Sequence, residues 1–248
     1  MAITIKTGEQ IEKMRIAGKI LARLDEILRA EVRPGITTRE LDKIAEEYIL
    51  SRNAAPSFKG YGGFPASICT SVNDEIVHGI PSDRKLKEGD IISIDMGAYI
   101  GGFHGDAART YGVGEITEEN KHLIEVTKES FFKGLKFARS GCHLHEIGAA
   151  IQDYVESYGF SVVRDYVGHG IGRHMHEDPA VPNYRQLARG PKLQKGMVIA
   201  IEPMVNAGTY YLEVLDDGWT AVTKDGRNSA HYENTVVITD GEPELLTI

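Results

Sequence analysis

Two stretches decide how this chain folds: L-K-E-G-D-I-I-S-I-D, from Leu86 to Asp95, and L-Q-K-G-M-V-I-A-I-E, from Leu193 to Glu202. They match at an offset of 107 residues, and each is a glycine-led apolar β run ending in a carboxylate. The match reaches back into helical sequence. Arg139, Gly141, Glu146, Ile147, Ile151, Tyr154 and Val155 fall 106 residues after Arg33, Gly35, Glu40, Leu41, Ala45, Tyr48 and Ile49. Solenoids repeat every 20–50 residues, so one long repeat present twice points instead to duplication. The expectation is a single domain, 1–248, of two αβ halves, about 1–113 and 114–248, related by a pseudo-twofold axis. Their join is placed in the turn and helix-start residues Gly112 to Asn120.

Helix signals frame these strands. Thr7 to Gln10 reads as a capping box, followed by Ile11, Met14, Ala17, Leu21, Leu24 and Leu28 at helical spacing until Pro34-Gly35. A second helix begins near Thr37, with Glu40 three residues on, and turns Leu41, Ile44, Tyr48 and Ile49 inward.

A length of 248 residues with 42% apolar content suffices for a substantial core, and the net charge of −8 argues against a generic nucleic-acid binder. No run of 18 apolar residues appears, and M-A-I-T-I-K-T-G-E-Q lacks the features of a secretory signal, so a soluble cytoplasmic protein without membrane attachment is expected. Two cysteines, Cys69 and Cys142, are too few for a disulfide framework or a cysteine-rich zinc module.

Asp95 and Glu202 each end an apolar β run, and duplication would bring them toward one point. Asp106 opens D-A-A-R-T-Y-G-V and Glu233 opens E-N-T-V-V-I-T-D, both strand-like. Four converging carboxylates repel one another and need cations or shared protons, and divalent metals are the natural solution. R-D-Y-V-G-H-G-I-G-R-H-M-H-E-D-P, from Arg164 to Pro179, supplies three histidines. The glycines flanking His169 suit a ligand loop with positive-φ positions better than a helix.

Asp95, Asp106, His169, Glu202 and Glu233, with the words I-D-M-G, G-H-G-I-G, I-E-P-M-V and Y-E-N-T, resemble the five-ligand pattern of the methionine aminopeptidases and their pita-bread relatives. The resemblance spans essentially the whole chain and is closest to the short bacterial type I enzymes. It implies an α+β pita-bread fold, with a central antiparallel sheet covered by helices. It also implies two divalent ions per chain, Co, Mn, Fe or Zn, with Asp106 and Glu233 bridging, Asp95 on one ion and His169 with Glu202 on the other.

The implied reaction is removal of the initiator methionine from chains whose second residue is small, by attack of a metal-bridging hydroxide. The chain's own Met1-Ala2 start is of that kind. Glu202 would shuttle the proton, His78 in S-V-N-D-E-I-V-H-G-I-P would contact the nitrogen beyond the scissile bond, and His176 would meet the oxyanion, while His174 is left structural. Tyr61, Phe64, Cys69, Met175 and Trp219 match the methionine pocket. Met175 stands where the family often has an aromatic residue, so a reshaped pocket is expected. Substrates are N-terminal methionine peptides and nascent chains, and the resemblance further implies transient ribosome contact and a monomer. Two other readings are an Xaa-Pro aminopeptidase or prolidase, whose members usually carry an additional N-terminal domain, and a non-catalytic pita-bread peptide-binding module, a kind that has lost its metal ligands, whereas all five positions are filled here.

Overall fold

The computed structural model of the chain describes residues 2–248; Met1, and with it the Met1-Ala2 start, lies outside the described residues. Four helices carry the outer layer. Thr7 caps α1 (Gly8–Glu31) through a reciprocal capping box with Gln10, and Thr37 caps α2 (Thr38–Ser51) in the same way with Glu40. Thr117 caps α3 (Glu118–Leu135), and the Glu146 carboxylate accepts the His143 N–H at the start of α4 (Leu144–Ser157). Among the described residues, no helix is long and apolar enough to cross a membrane.

Inside the helices lie antiparallel strands. Strand Ile91–Ile100 pairs with Ala55–Pro56, Ile68–Val72 and Phe103–Gly112. A five-stranded sheet runs Glu244–Leu245, Asn234–Val237, Val198–Ile201, Gly168–Gly170 and Glu177–Val181. Two three-stranded sheets flank them: one orders Ser229–His231, Met204–Asn206 and Ser161–Val162, the other Leu212–Val214, Ala221–Thr223 and Glu75–Val77.

The apolar alternation of the strands sorts the molecule into layers. Leu21, Leu24 and Leu28 of α1 pack with Leu41, Ala45 and Ile49 of α2 and with Ile92, Ile94 and Met96 of the strand beneath. Ile44 and Tyr48, expected inward, are half-buried at the edge of this cluster, and Ala45 takes the central place. In the second layer Leu123, Val126 and Phe131 of α3 meet Ile147, Ile151 and Val155 of α4 over Ile199, Ile201 and Val236. Each fully buried leucine or isoleucine contributes roughly 2 kcal/mol of apolar burial.

The same hydrogen bonds recur in both layers. The Gly35 N–H donates to the Leu86 carbonyl at 2.8 Å, and the Gly141 N–H donates to the Leu193 carbonyl at 3.0 Å. Isolated bridges join Thr37 to Lys85 and His143 to Lys192. Between the layers, the Glu233 N–H donates to the Ala108 carbonyl, and the Thr235 hydroxyl bonds both the Asp106 N–H and the Asp106 carbonyl, each at 2.9 Å. The junction therefore lies at two of the four carboxylates.

Strand positions differ in one respect from the sequence reading. Asp95 and Asp106 are not at strand ends; both lie in the middle of ten-residue strands, because the ladder continues past them through Gly97 and Gly105. The apolar run stops at Asp95 because that face changes its surroundings, while the backbone pairing goes on. Glu202 does lie just beyond Val198–Ile201, and Glu233 just before Asn234–Val237.

Candidate metal centre

Register explains why the carboxylates meet. Asp95 pairs with Ala108 and Gly97 with Asp106, so Asp95 and Asp106 are diagonal neighbours on one face of their hairpin. In the other sheet, Asn234 pairs with Ile201, and one further step puts Glu233 opposite Glu202. His169 reaches the same point from strand Gly168–Gly170: its Nε2 is 3.5 Å from Asp106 Oδ2 and 3.7 Å from Glu202 Oε1.

The glycines beside His169 serve close approach, not the positive φ expected of them. Neither has a positive φ. A Cβ on Gly168 would lie 2.3 Å from the Ala200 carbonyl oxygen, and one on Gly170 would lie 2.3 Å from that of Asp178. Hydrogen alone at both positions lets three strands close around the imidazole.

The electrostatics are those of a site built for cations. Burial, then the neighbouring Asp106 and Glu202, pushes the Asp95 carboxyl well above its ordinary range. Burial and then Asp106, Glu202 and Asp95 do the same to Glu233, and burial raises Asp106. Asp95 Oδ1, Asp106 Oδ1 and Glu233 Oε1 are buried without a hydrogen-bond partner, which a native interior tolerates only where another group completes them. Ligand atoms of Asp106, His169 and Glu233 lie within 4.8 Å of one another, as do those of Glu202, His231 and Glu233. The His169 Nδ1 is 2.9 Å from the Gly170 carbonyl, which can only accept, so Nδ1 carries a proton and Nε2 is the nitrogen turned to the carboxylates, where a metal would bind. Oxygen donors with one such imidazole fit a divalent metal.

A cavity of about 350 Å³ opens beside these groups, and all twelve residues singled out in the sequence line it. Phe64 meets Trp219 edge-on at 5.1 Å, and Met175 and Cys69 pack in the same apolar cluster. Met175 is only 2% exposed, so the methionine fills the pocket wall. Burial, then the nearby Asp95, pushes the Cys69 thiol well above its usual range, leaving it a neutral wall atom.

His176 packs against His169 with ring centroids 4.2 Å apart and planes tilted by 52°, and its Nδ1 lies 2.8 Å from the Tyr61 hydroxyl. Burial and the neighbouring His169 lower its pKa to about 4. His78 holds a left-handed backbone, φ 61°, and its ring stands edge-on to Tyr166 and Trp219; burial lowers its pKa also. Such a backbone at a non-glycine residue points to a functional constraint. Both imidazoles are thus neutral at neutral pH and can donate N–H. His174 instead gives its backbone N–H to Glu177.

Phe58, Tyr166 and Met204 also line the cavity, and His231 stands behind Glu202; none was singled out from sequence. For His231 a signal existed. It precedes Glu233 by two residues, the spacing of one strand face.

Comparison with known proteins follows this geometry closely. Residues 12–240 match the model of metallopeptidase family M24. The chain belongs to that family. This M24 chain is 60% identical to the methionine aminopeptidase of Clostridium acetobutylicum over 99% of both proteins. It superposes on the crystal structure of methionine aminopeptidase from Rickettsia prowazekii with a TM-score of 0.98, at 43% identity and over all of both chains. The Xaa-Pro dipeptidase of Bacillus anthracis, at 24% identity and TM-score 0.79, shares the fold; the M24 chain covers 61% of its length. The pita-bread architecture expected from the sequence is therefore the one present.

The M24 chain ties its histidine loop down with a buried ion pair. Lys6 Nζ lies 2.8 Å from Glu177 Oε2, with side chains 4% and 5% exposed, and Thr4 adds a third partner. Burial by itself would raise Glu177, but Lys6, Thr4 and the His174 N–H bring its pKa from 4.5 to about 2. Lys6→Ala leaves that carboxylate without its ammonium and is expected to cost about 3 kcal/mol in urea unfolding. Because the folded pKa is depressed, the stabilisation is complete above pH 4.5 and is lost as pH falls through about 2, so the wild-type and mutant curves should converge at that end.

Proposed function

We propose that this chain removes the N-terminal methionine from polypeptides whose second residue is small, with two divalent ions at the carboxylate cluster. The observation that carries the reading is the set of buried, partnerless oxygens on Asp95, Asp106 and Glu233 beside His169 Nε2, in the wall of an apolar cavity. Full-length relatives named methionine aminopeptidases support it. Asp106 and Glu233 would bridge, Asp95 would hold one ion, and His169 with Glu202 the other. Co, Mn, Fe and Zn all suit that donor set. The ions would supply Lewis acidity and lower the pKa of water.

The chain's own groups then have separable tasks. Glu202 accepts the proton of the attacking water and passes it toward the leaving amine. His176 presents an N–H to the developing oxyanion, with the Tyr61 hydroxyl donating to its other nitrogen to fix the ring. His78 contacts the amide nitrogen beyond the scissile bond. Tyr61, Phe64, Cys69, Met175 and Trp219 surround the methionine side chain and exclude water. Such a pocket accepts an unbranched thioether without a polar partner.

We also infer one catalytic domain duplicated internally, halves about 1–113 and 114–248; the recurring Gly35 and Gly141 hydrogen bonds support this. A cytoplasmic monomer acting on nascent chains, in transient contact with the ribosome, completes the proposal.

Free-amine and N-acetylated Met-Ala-Ser peptides test the exopeptidase assignment. Release of methionine from the first alone is the expected result. Equal cleavage of both would remove the amine from the recognition scheme and with it the assignment.

A further inference from the structure

We propose that His231 is a positioning residue of this centre, holding Glu202 from behind by an N–H donated to its outer carboxylate oxygen. The inference rests on the metal-dependent reading above and adds a residue to it. Register places the ring. Met204 pairs with His231, Asn234 pairs with Ile201, and the Tyr232 N–H donates to the Pro203 carbonyl at 3.2 Å between them. The intervening pair is therefore Glu202 and Glu233, and strand alternation puts His231, Glu233 and Glu202 on one face.

The contact is specific at atomic level. His231 Nε2 lies 3.5 Å from Glu202 Oε2, while the other oxygen, Oε1, lies 3.7 Å from His169 Nε2. The two imidazoles thus approach opposite oxygens of one carboxylate. His231 is 1% exposed, and its Nε2 is buried with no hydrogen-bond partner, so a small rotation toward Glu202 satisfies both groups. Its backbone cannot drift. The Thr110 hydroxyl accepts the His231 N–H at 2.8 Å and donates to the His231 carbonyl at 2.9 Å.

The ring stands outside the substrate cavity's lining. His231 borders a separate cleft of about 670 Å³, with Asp25, Arg109 and Lys128, and does not line the cavity that holds Tyr61 and Trp219. It therefore acts through Glu202 and not on the peptide. A ligand carboxylate fixed at its outer oxygen presents the inner one in a single orientation, the usual work of an outer partner at a metal site.

His231→Ala, His231→Leu and His231→Gln test this in full-length protein. Metal-stripped protein is titrated with Co²⁺ by calorimetry, the visible spectrum of the Co²⁺ form is recorded, and kcat and KM are measured on Met-Ala-Ser. Alanine and leucine should weaken Co²⁺ binding on the order of 10-fold or more and lower kcat with KM held within about twofold, while glutamine, which keeps an N–H at similar reach, recovers most of both. Should alanine fail to fold, leucine against glutamine gives the same contrast.

Wild-type affinity and kcat in both the alanine and leucine variants would overturn the proposal. So would a glutamine variant as weak as leucine whose Co²⁺ spectrum has lost a nitrogen ligand, since His231 would then bind the metal directly. The calorimetric readout stands apart from peptide cleavage, so a wild type that binds Co²⁺ without releasing methionine would count against the assigned reaction and leave the His231 contrast readable.

Discussion

Glu202→Gln is expected to lower kcat on Met-Ala-Ser by on the order of 10³-fold while leaving the protein folded. The carboxylate lies just past the apolar run Val198–Ile201, with one oxygen facing His169 and the other facing His231. Glutamine keeps its size and most of its packing, but the amide cannot take a proton from water. Removing one negative charge also relieves the repulsion that lifts Asp95 and Glu233. Thermal unfolding of the metal-free variant should therefore occur at or above the wild-type temperature. Turnover within tenfold of wild type would remove Glu202 from its role as proton shuttle.

His169→Ala should be as damaging by a different route. Its Nε2 is the only imidazole nitrogen within 4 Å of both the Asp106 and Glu202 carboxylates among the described residues, and the Gly170 carbonyl holds it there. The loss in metal affinity should exceed the 10–100-fold typical of removing an outer partner, and methionine release should fall with it. Calorimetric titration with Mn²⁺ or Co²⁺ reads this directly. His174→Ala is the control, because that residue contributes its backbone N–H to Glu177 and its substitution leaves metal affinity unchanged. Unaltered affinity in His169→Ala would dismantle the proposed ligand set.

Much of this was legible in the chain. The match of Leu86–Asp95 with Leu193–Glu202 marks both sheet cores, and the capping residues Thr7 and Thr37 mark where the first two helices begin, because these signals are local. Strand ends were not legible. Asp95 looks like a terminus because apolar alternation breaks there, but hydrogen-bond pairing follows the backbone and continues to Ile100. The glycines of G-H-G misled for a related reason. Sequence cannot separate a glycine needed for φ from one needed for space, and here the Ala200 and Asp178 carbonyls decide for space.

The cluster was readable as chemistry before it was readable as geometry. Asp106 and Glu233 had no spacing in common, yet the Thr235 and Ala108 hydrogen bonds place them on either side of one junction. His231 was missed although its signal was present: it stands two residues before Glu233 in S-A-H-Y-E, and that spacing gains its meaning once the strand pairing puts both on one face.

The most direct measurement is methionine release from Met-Ala-Ser by metal-stripped protein, before and after addition of Co²⁺, Mn²⁺ or Fe²⁺, with Ala-Pro-Ser alongside. No release before addition, recovery after it, and cleavage of the first peptide alone are the predicted results. Release by the stripped protein, or preference for Ala-Pro-Ser, would contradict a metal-dependent methionine-specific reaction at the Asp95, Asp106, His169, Glu202 and Glu233 cluster.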